Sequence, residues 1–558
     1  MFRRYALRIR CLVFFVTQQQ DKPSRSLVGI AGIIAAATFI SKIFGLVRQQ
    51  VITAAFGLGP AADAFSYAYT IPGFLLILLG GINGPFYSAV VSVLAKRKKE
   101  EAAPVVETIT TLVGGVLLLV SILVVILAPT LIDVFSPGLK APGKEAVRLI
   151  AIDQLQIMAP IAVLAGMIGI GFGVLNAANQ FWLPSISPLL SSVTVIIGLG
   201  SLYLVIGNQI TSPEFSNVLL GGRVLAGSVL AGAILQWFVQ LWAQARVGMG
   251  KLRLRFDFHE PGVQDIIKIM LPATFSSGML QINLYTDLFF ASWIPTIGVA
   301  AALANAGLLV QTPLGIISQT ILVPLLPLFA RLTDPNDWGE LKLRIRQGLI
   351  LSGFTMLPLG ALMISLAMPI VKVVYERGAF KGADSQLVAS LLIANGIGMF
   401  AYLSRDVLVR VFYALGDGNT PFRISMINIF MNAVLDYFLI KPFGAPGLVL
   451  ATVGVNCGSV IMLLFVLNRR LGGLPLIEWS LPILGFGAAS VAGGITSYAA
   501  LQVMQGFLGG RENLLILLLE LAASSLIGLG IFGAIASIMK LPEVDMFTSR
   551  LRQRFLKK

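Results

Sequence analysis

Residues 112–135 read LVGGVLLLVSILVVILAPTLIDVF, with a single charge, Asp133, near the end. A helix rises about 1.5 Å per residue and the hydrocarbon core of a bilayer is about 30 Å thick, so roughly 20 such residues cross it. The rest of the chain has the same character. Of its 558 residues, 56% are hydrophobic and 12% are charged, whereas a soluble domain is about a quarter charged. That leaves too little charge to cover a water-facing surface. The period-2 alternation in ten-residue segments that marks an outer-membrane barrel is missing. The sequence therefore predicts an all-α, polytopic membrane protein.

Working outward, apolar segments fall at 27–57, 62–94, 107–135, 146–175, 183–206, 222–246, 263–294, 298–330, 345–374, 385–415, 422–441, 446–468, 479–504 and 513–539, about fourteen crossings. Lys and Arg set the orientation. The runs at Lys96–Lys99, Arg246–Arg255, Arg331–Arg346, Arg469-Arg470 and Arg550–Lys558 share a side with the basic arm of residues 1–26. Loops on the other side (57–61, 207–217 and 295–298) are nearly free of cations. Lys140, Lys144, Arg148, Arg377 and Lys381 run against this rule. Both termini are expected to be cytoplasmic, which requires an even number of crossings. The arm, with its short apolar patch from Cys11 to Val16, has no small-residue cleavage site and reads as a cytoplasmic extension rather than a signal peptide.

The chain also repeats itself. Ala37-Thr38-Phe39 returns as Ala273-Thr274-Phe275, and Pro72-Gly73 as Pro313-Leu314-Gly315, each of the latter placed as a break within its segment. Phe172-Gly173-Val174-Leu175, with Asn179 and Pro184 after it, parallels Phe412-Tyr413-Ala414-Leu415 with Asn419 and Pro421. Offsets of about 235–241 residues pair the first segment with the seventh, the second with the eighth and the fourth with the tenth. Six crossings return the chain to its starting side, so the two copies are parallel repeats about an axis along the membrane normal. The expected layout is an N-lobe (27–250), a C-lobe (251–472), a pair of further helices (473–540) and a basic tail (541–558).

A charge at mid-bilayer costs about 2.5–3.5 kcal/mol on insertion scales and normally faces a cavity or a partner. Lys42 lies roughly 22 Å along the first helix from Leu27, and Arg48, Gln49 and Gln50 follow it. Lys42 and Gln49 share a face, Arg48 is turned about 100° away, and Gly45 between them offers a bend. Elsewhere stand Asp63 in the second segment, Asp153 and Gln156 in the fourth, and Gln236 and Gln240 in the sixth. Gln281, Asn283 and Asp287 lie in the seventh. Arg405, Asp406 and Arg410 lie in the tenth, where Asp406 and Arg410 can pair at i,i+4. Asn428, Asn432 and Asp436 form a four-residue-spaced stripe on the eleventh. Each alone suits helix-to-helix hydrogen bonding; together they point to a water-filled cleft between two halves, with Gln49, Asp63, Asp287, Arg405, Arg410 and Asp436 as its polar or coupling groups.

Other chemistries lack their residues. The net charge of +15 sits at segment ends rather than in a nucleic-acid patch, so no nucleic-acid partner is expected. Cys11 and Cys457 are far apart, and the one histidine, His259, lies in a loop. There is no P-loop, metal-ligand cluster or nucleophile motif, so neither an enzyme nor a cofactor is expected.

These residues resemble the MviN/MurJ family of the multidrug/oligosaccharidyl-lipid/polysaccharide exporter superfamily. The likeness covers nearly all of residues 27–540. It is carried by Ser41-Lys42-Ile43-Phe44-Gly45-Leu46-Val47-Arg48, Ala62-Asp63-Ala64-Phe65 with Ile71-Pro72, Val374-Tyr375-Glu376-Arg377-Gly378-Ala379-Phe380, and Phe412-Tyr413-Ala414-Leu415 with Asp417 and Thr420-Pro421. The resemblance implies two six-helix lobes around a cationic cavity, and two C-terminal helices that form a lipid-facing groove. It implies a bacterial inner-membrane flippase that carries lipid II, the polyprenyl-pyrophosphate-linked peptidoglycan precursor, to the outer leaflet. Its partners would be that lipid, the surrounding membrane lipids and the cell-wall synthesis machinery. Lys42 and Arg48 align with first-span cations of the family and become the pyrophosphate contacts. With no nucleotide site, the energy source would be an ion gradient or the membrane potential. Three departures stand out. Gln49 replaces an acid, Phe74–Leu78 lacks the arginine pair of the second span, and Ala304–Val310 lacks the arginine of the eighth. A cavity with fewer cations holds a pyrophosphate less firmly, which leaves room for another lipid-linked saccharide, or a drug antiporter of the same superfamily.

Overall fold

The computed structural model describes residues 27–81, 84–95, 97, 99–212, 214–279, 282–508 and 513–539. The basic arm, the basic tail, Lys96, Lys98, Cys11, Gln281 and the side chain of Asn283 lie outside the described residues. The described chain is helical, without strands. Its first half contains α1 (Leu27–Phe56), α2 (Pro60–Leu78), α3 (Pro85–Leu94), α4 (Lys99–Phe135), α5 (Glu145–Met158), α6 (Ile161–Ala177), α7 (Trp182–Ile186), α8 (Pro188–Ile206) and α9 (Phe215–Val247). Then come α10 (Pro261–Met279), α11 (Ile282–Trp293), α12 (Val299–Arg331), α13 (Trp338–Ser365), α14 (Ala367–Tyr375), α15 (Gly382–Ala414), α16 (Asn419–Phe443) and α17 (Ala445–Arg470). The last pair is α18 (Leu476–Leu508) and α19 (Leu514–Ile538).

Helix occupies every apolar segment read from the sequence. Eleven helical stretches among the described residues are long and apolar enough to cross a bilayer. The count becomes twelve when α5 and α6, bent by 43° at Ala159-Pro160, are taken as one span. The helices α1 and α10–α11 fall outside that set.

The proline breaks lie elsewhere than the sequence places them. Helix α2 runs through Pro72, and α12 runs through Pro313, Pro324 and Pro327. A proline removes one backbone donor, a loss that neighbouring helices can absorb within a membrane bundle. The second segment breaks instead after Leu78, where α6 crosses closely. A Cβ on Gly169 would lie 1.9 Å from the Leu79 carbonyl oxygen, so only glycine fits there.

Most packing stays within one half of the chain. In the first half α2 packs on α5, α3 on α6, α8 on α9 and α1 on α8; in the second, α13 and α17 flank α15, and α16 packs on α17. The seventh segment is shared: α10 packs on α3, whereas α11 packs on α16 and on residues 137–140. The final pair packs together and onto α13, where Phe354, Phe486 and Phe532 form an aromatic cluster. Two matching helix ends accompany the repeat. After α6, Gln180 N–H donates to the Leu175 carbonyl with Asn179 at φ 59°; after α15, Asp417 N–H donates to Phe412 with Gly416 at φ 73°. Both are six-to-one closures around a left-handed residue, and each follows one of the two similar stretches read from the sequence.

Candidate functional site: a polar cavity under a closed end

Residues of α1, α2, α11, α12, α15 and α17 enclose a cavity of about 810 Å³. Of the site residues read from the sequence, Arg48, Gln49, Asp287 and Arg405 line it. Arg48 faces the cavity with its buried Nε unbonded. The neighbouring Gln49 is already engaged, since its Nε2 donates to Asn305 Oδ1 of α12 at 2.6 Å. Tyr375 OH in turn holds the Asn305 carbonyl at 3.1 Å. Lys42 is exposed and reaches toward α12, for a Cβ on Gly315 would lie 2.8 Å from its Nζ. A Cβ on Gly45 would meet nothing within 4 Å, and α1 runs unbroken through it.

Asp287 and Asp436 belong to one cluster. Asn432 Nδ2 donates to Asp287 Oδ1 and to Asp436 Oδ2, each at 2.8 Å. Thr452 of α17 donates to Asp287 Oδ2 at 3.3 Å. Asp436 and Asn432 are buried behind the cavity wall, and Asp436 Oδ1 has no partner. Asn428, the third member of the stripe, donates to Ser459 at 2.7 Å and serves packing. Arg405 lines the cavity beside Asp406. Arg410 does not line it, and among the described residues no ion pair joins Arg410 to Asp406.

Asp63 has a different place. It is buried, and its Oδ1 accepts from the Ala300 and Ala301 amides at 3.0 and 3.3 Å, capping α12 from across the molecule. Three more contacts join the halves at this cation-poor end. Lys144 Nζ donates to the Ser292 carbonyl at 2.8 Å and to that of Ile294, closing the C-terminus of α11. Ala379 N–H donates to the Ala54 carbonyl at 2.8 Å, and Leu58 N–H to Asp384 Oδ2 at 3.4 Å. A negative group at a helix N-terminus and a positive one at a C-terminus both complement the helix dipole. Burial holds the Lys144 ammonium below its ordinary range, and the Asp63 carboxylate opposes that shift.

Four of the five cations that run against the charge rule, Lys144 among them, are engaged here. Arg148 makes a paired contact with Asp133 at 2.6 and 2.9 Å, and Lys140 joins it at 3.1 Å. Arg377 caps the Val373 and Val374 carbonyls. Sequence reasoning missed Asn305, Asp384, Thr452 and Asn456. The last two are one turn apart on α17, the same spacing that exposed the stripe on α16. Asn305 and Asp384 have no local signal, because their partners are remote in sequence.

Fold and cavity together define a multi-pass helical membrane protein with a polar chamber between two halves, closed at one end. Residues 52–518 match the family described as "Lipid II flippase MurJ". A protein of Synechocystis named "Probable lipid II flippase MurJ" is 55% identical over 539 residues, covering 96% of this chain and 98% of its own. A namesake from Rhizobium tropici is 27% identical over 529 residues, covering 93% of this chain and 96% of its own. Among solved structures, "Lipid II flippase MurJ, inward closed conformation" superposes with a TM-score of 0.72 at 22% identity, covering 91% of this chain and 98% of that one. An inward-facing multidrug resistance MATE family transporter of the MOP superfamily reaches 0.57 at 15% identity, covering 79% and 98%. The chain belongs to the MurJ family.

Proposed function

We propose that this protein carries lipid II from the cytoplasmic to the outer leaflet of a bacterial plasma membrane by alternating access. The observation that carries the reading is family membership along almost the whole chain, with the Arg48 guanidinium lining the cavity and its Nε unbonded. A pyrophosphate needs cationic donors, and a guanidinium supplies a planar fork of them. Arg48 is the principal contact in this reading, and Lys42 assists from further along α1. The cation-rich side, both termini included, is cytoplasmic, fourteen helical segments cross the membrane, and the cation-poor end where Asp63 and Lys144 act is outer. The six, six and two division of the segments places the α18–α19 pair beside the polyprenyl tail, which stays in lipid while the head group crosses. Matched helix ends after α6 and α15 support the repeat.

No step consumes a nucleotide in this scheme. The Asp287–Asn432–Asp436–Thr452 cluster is the candidate site for a coupling cation, since it gathers two carboxylates and a hydroxyl without a positive side chain bonded to them. Release on the outer side hands the lipid to cell-wall synthesis enzymes. The test is rescue of a flippase-depleted bacterium, read as accumulation of inner-leaflet lipid II. Expression of this chain clears the accumulation; a folded protein that leaves it unchanged overturns the assignment. The cation-free stretches Phe74–Leu78 and Ala304–Val310, both contributing to the cavity wall, favour a second reading, transport of a less anionic lipid-linked saccharide. In that case a different lipid accumulates on depletion of this protein in its own host.

A further inference from the structure

Among the residues lining the cavity, two are cations: Arg48 from α1 and Arg405 from α15. Several other cations of the bundle are engaged. Arg148 and Lys140 bind Asp133, Arg223 binds Asp153, Arg344 binds Glu340, Arg470 binds Asp417, and Lys144 and Arg377 cap carbonyls. Arg405 differs. Its one hydrogen bond among the described residues runs from Nη1 to the Asn456 amide oxygen at 3.4 Å, long and uncharged. Asn456 is itself fixed, donating to the Thr452 carbonyl at 2.7 Å, and so steers the guanidinium without neutralising it. Asp406 shares the cavity and is coupled electrostatically to both Arg405 and Arg410, but among the described residues no direct ion pair joins it to Arg405. A guanidinium has five N–H donors, and a charge held within a membrane without a paired partner marks a ligand pathway.

We propose that Arg405 is the second phosphate contact of the substrate site, so that a pyrophosphate is held between Arg48 of the first half and Arg405 of the second. The inference rests on the flippase reading above and sharpens it. A lipid-linked pyrophosphate engages both halves at once; a lipid monophosphate is satisfied by one guanidinium. The cations missing from Phe74–Leu78 and Ala304–Val310 are thereby replaced from α15, whose Arg405 the sequence reading placed in the same cleft as a polar or coupling group rather than a phosphate contact. The site then selects for the pyrophosphate linkage, and the linkage draws α1 and α15 together.

The experiment measures binding of three probes to the full-length protein in detergent: lipid II, undecaprenyl pyrophosphate and undecaprenyl monophosphate. A hydrogen bond to a charged group contributes about 1.5–3 kcal/mol, so Arg405→Gln is expected to weaken both pyrophosphate probes by roughly 10- to 100-fold. Monophosphate binding should stay within about twofold, the loss being confined to the second phosphate. Arg405→Lys keeps the charge but not the fork, and should fall between the two; it also carries the test if the Gln variant does not fold. Arg48→Gln should weaken all three probes. If Arg405→Gln binds the pyrophosphates like the unaltered protein while Arg48→Gln does not, Arg405 is removed from the site and the flippase reading stands. An equal loss for all three probes with a lowered thermal midpoint overturns the assignment in favour of a structural role. Failure of the unaltered protein to bind either pyrophosphate defeats the flippase reading itself.

Discussion

Asn432 stands between two carboxylates, donating to Asp287 on one side and to Asp436 on the other. Two carboxylates so close in a medium of low dielectric do not both hold a charge without compensation, and one amide group does not supply it. A bound cation would, with the Thr452 hydroxyl as a further oxygen donor. The expected result is that sodium raises the thermal midpoint of the purified protein relative to choline at equal ionic strength. Asp287→Asn should abolish that difference while leaving the midpoint in choline unchanged or higher. A variant that keeps the full sodium response removes Asp287 from the site. The stripe on α16 was legible because Asn428, Asn432 and Asp436 recur at helical spacing in an apolar run. Its division of labour was not. Asn428 bonds Ser459, and only contact with α11 and α17 separates the packing residue from the site residues.

At the scale of elements, Asp63 and Lys144, charged residues near helix ends, act on helices other than their own. Asp63 was read as a group of the cleft; instead it caps α12, whose own N-cap, Gly298, has no side chain to offer. Asp63→Ala leaves two buried amides without their acceptor, and such a loss costs about 1–3 kcal/mol. The expected outcome is faster hydrogen exchange at residues 299–302 and greater labelling of the cavity from the cation-poor end; unchanged exchange there would rule out the cap. The motif Tyr375–Phe380 is explained in the same way. Gly378 has φ +61° and a Cβ there would lie 2.3 Å from the Ala54 carbonyl oxygen, so the loop can approach α1 only as glycine. A second cap lies in the turn before α16. Burial pushes the Asp417 carboxyl up, but bonds from the Thr420 amide and hydroxyl and from Arg470 outweigh that and hold it below the usual range. A depressed folded pKa means stabilisation that is complete above the unfolded value of about 4 and lost as pH falls through the folded one. The protection of the amides of residues 415–420, taken relative to their intrinsic exchange rates, should therefore fall in acid, and Asp417→Asn should flatten that dependence. The helices themselves were legible because roughly 20 apolar residues admit little else. Their breaks were not, since the close crossing at Gly169 rather than proline sets where the second segment bends.

For the whole molecule, these contacts specify a state. Asp63 on α12, Lys144 on α11, Ala379 on Ala54 and Leu58 on Asp384 all join the halves at the cation-poor end, while the cavity lies beneath them. Their net strength is modest, since each intramolecular hydrogen bond contributes about 0.5–1.5 kcal/mol and charge-assisted ones somewhat more. Such a latch can be broken by differential binding of a ligand, which is what alternation requires. Opening toward that end by rocking of the halves must separate Ala54 from Ala379. Their backbones are hydrogen-bonded at 2.8 Å, so cysteines placed at both positions lie within reach of a short, reducible thiol-reactive cross-linker such as a bis-methanethiosulfonate, which forms a disulfide with each cysteine and releases sulfinate. In a background in which the exposed Cys457 is changed to Ser and Cys11 likewise, the Ala54→Cys/Ala379→Cys protein should transfer lipid II across vesicles before cross-linking and not after it. Cleaving the linker should restore transfer, and either cysteine alone should be insensitive to the reagent. Transfer that persists after complete cross-linking would show that the substrate leaves by a route that does not part α1 from the loop between α14 and α15, and the rocking scheme would fall with the latch.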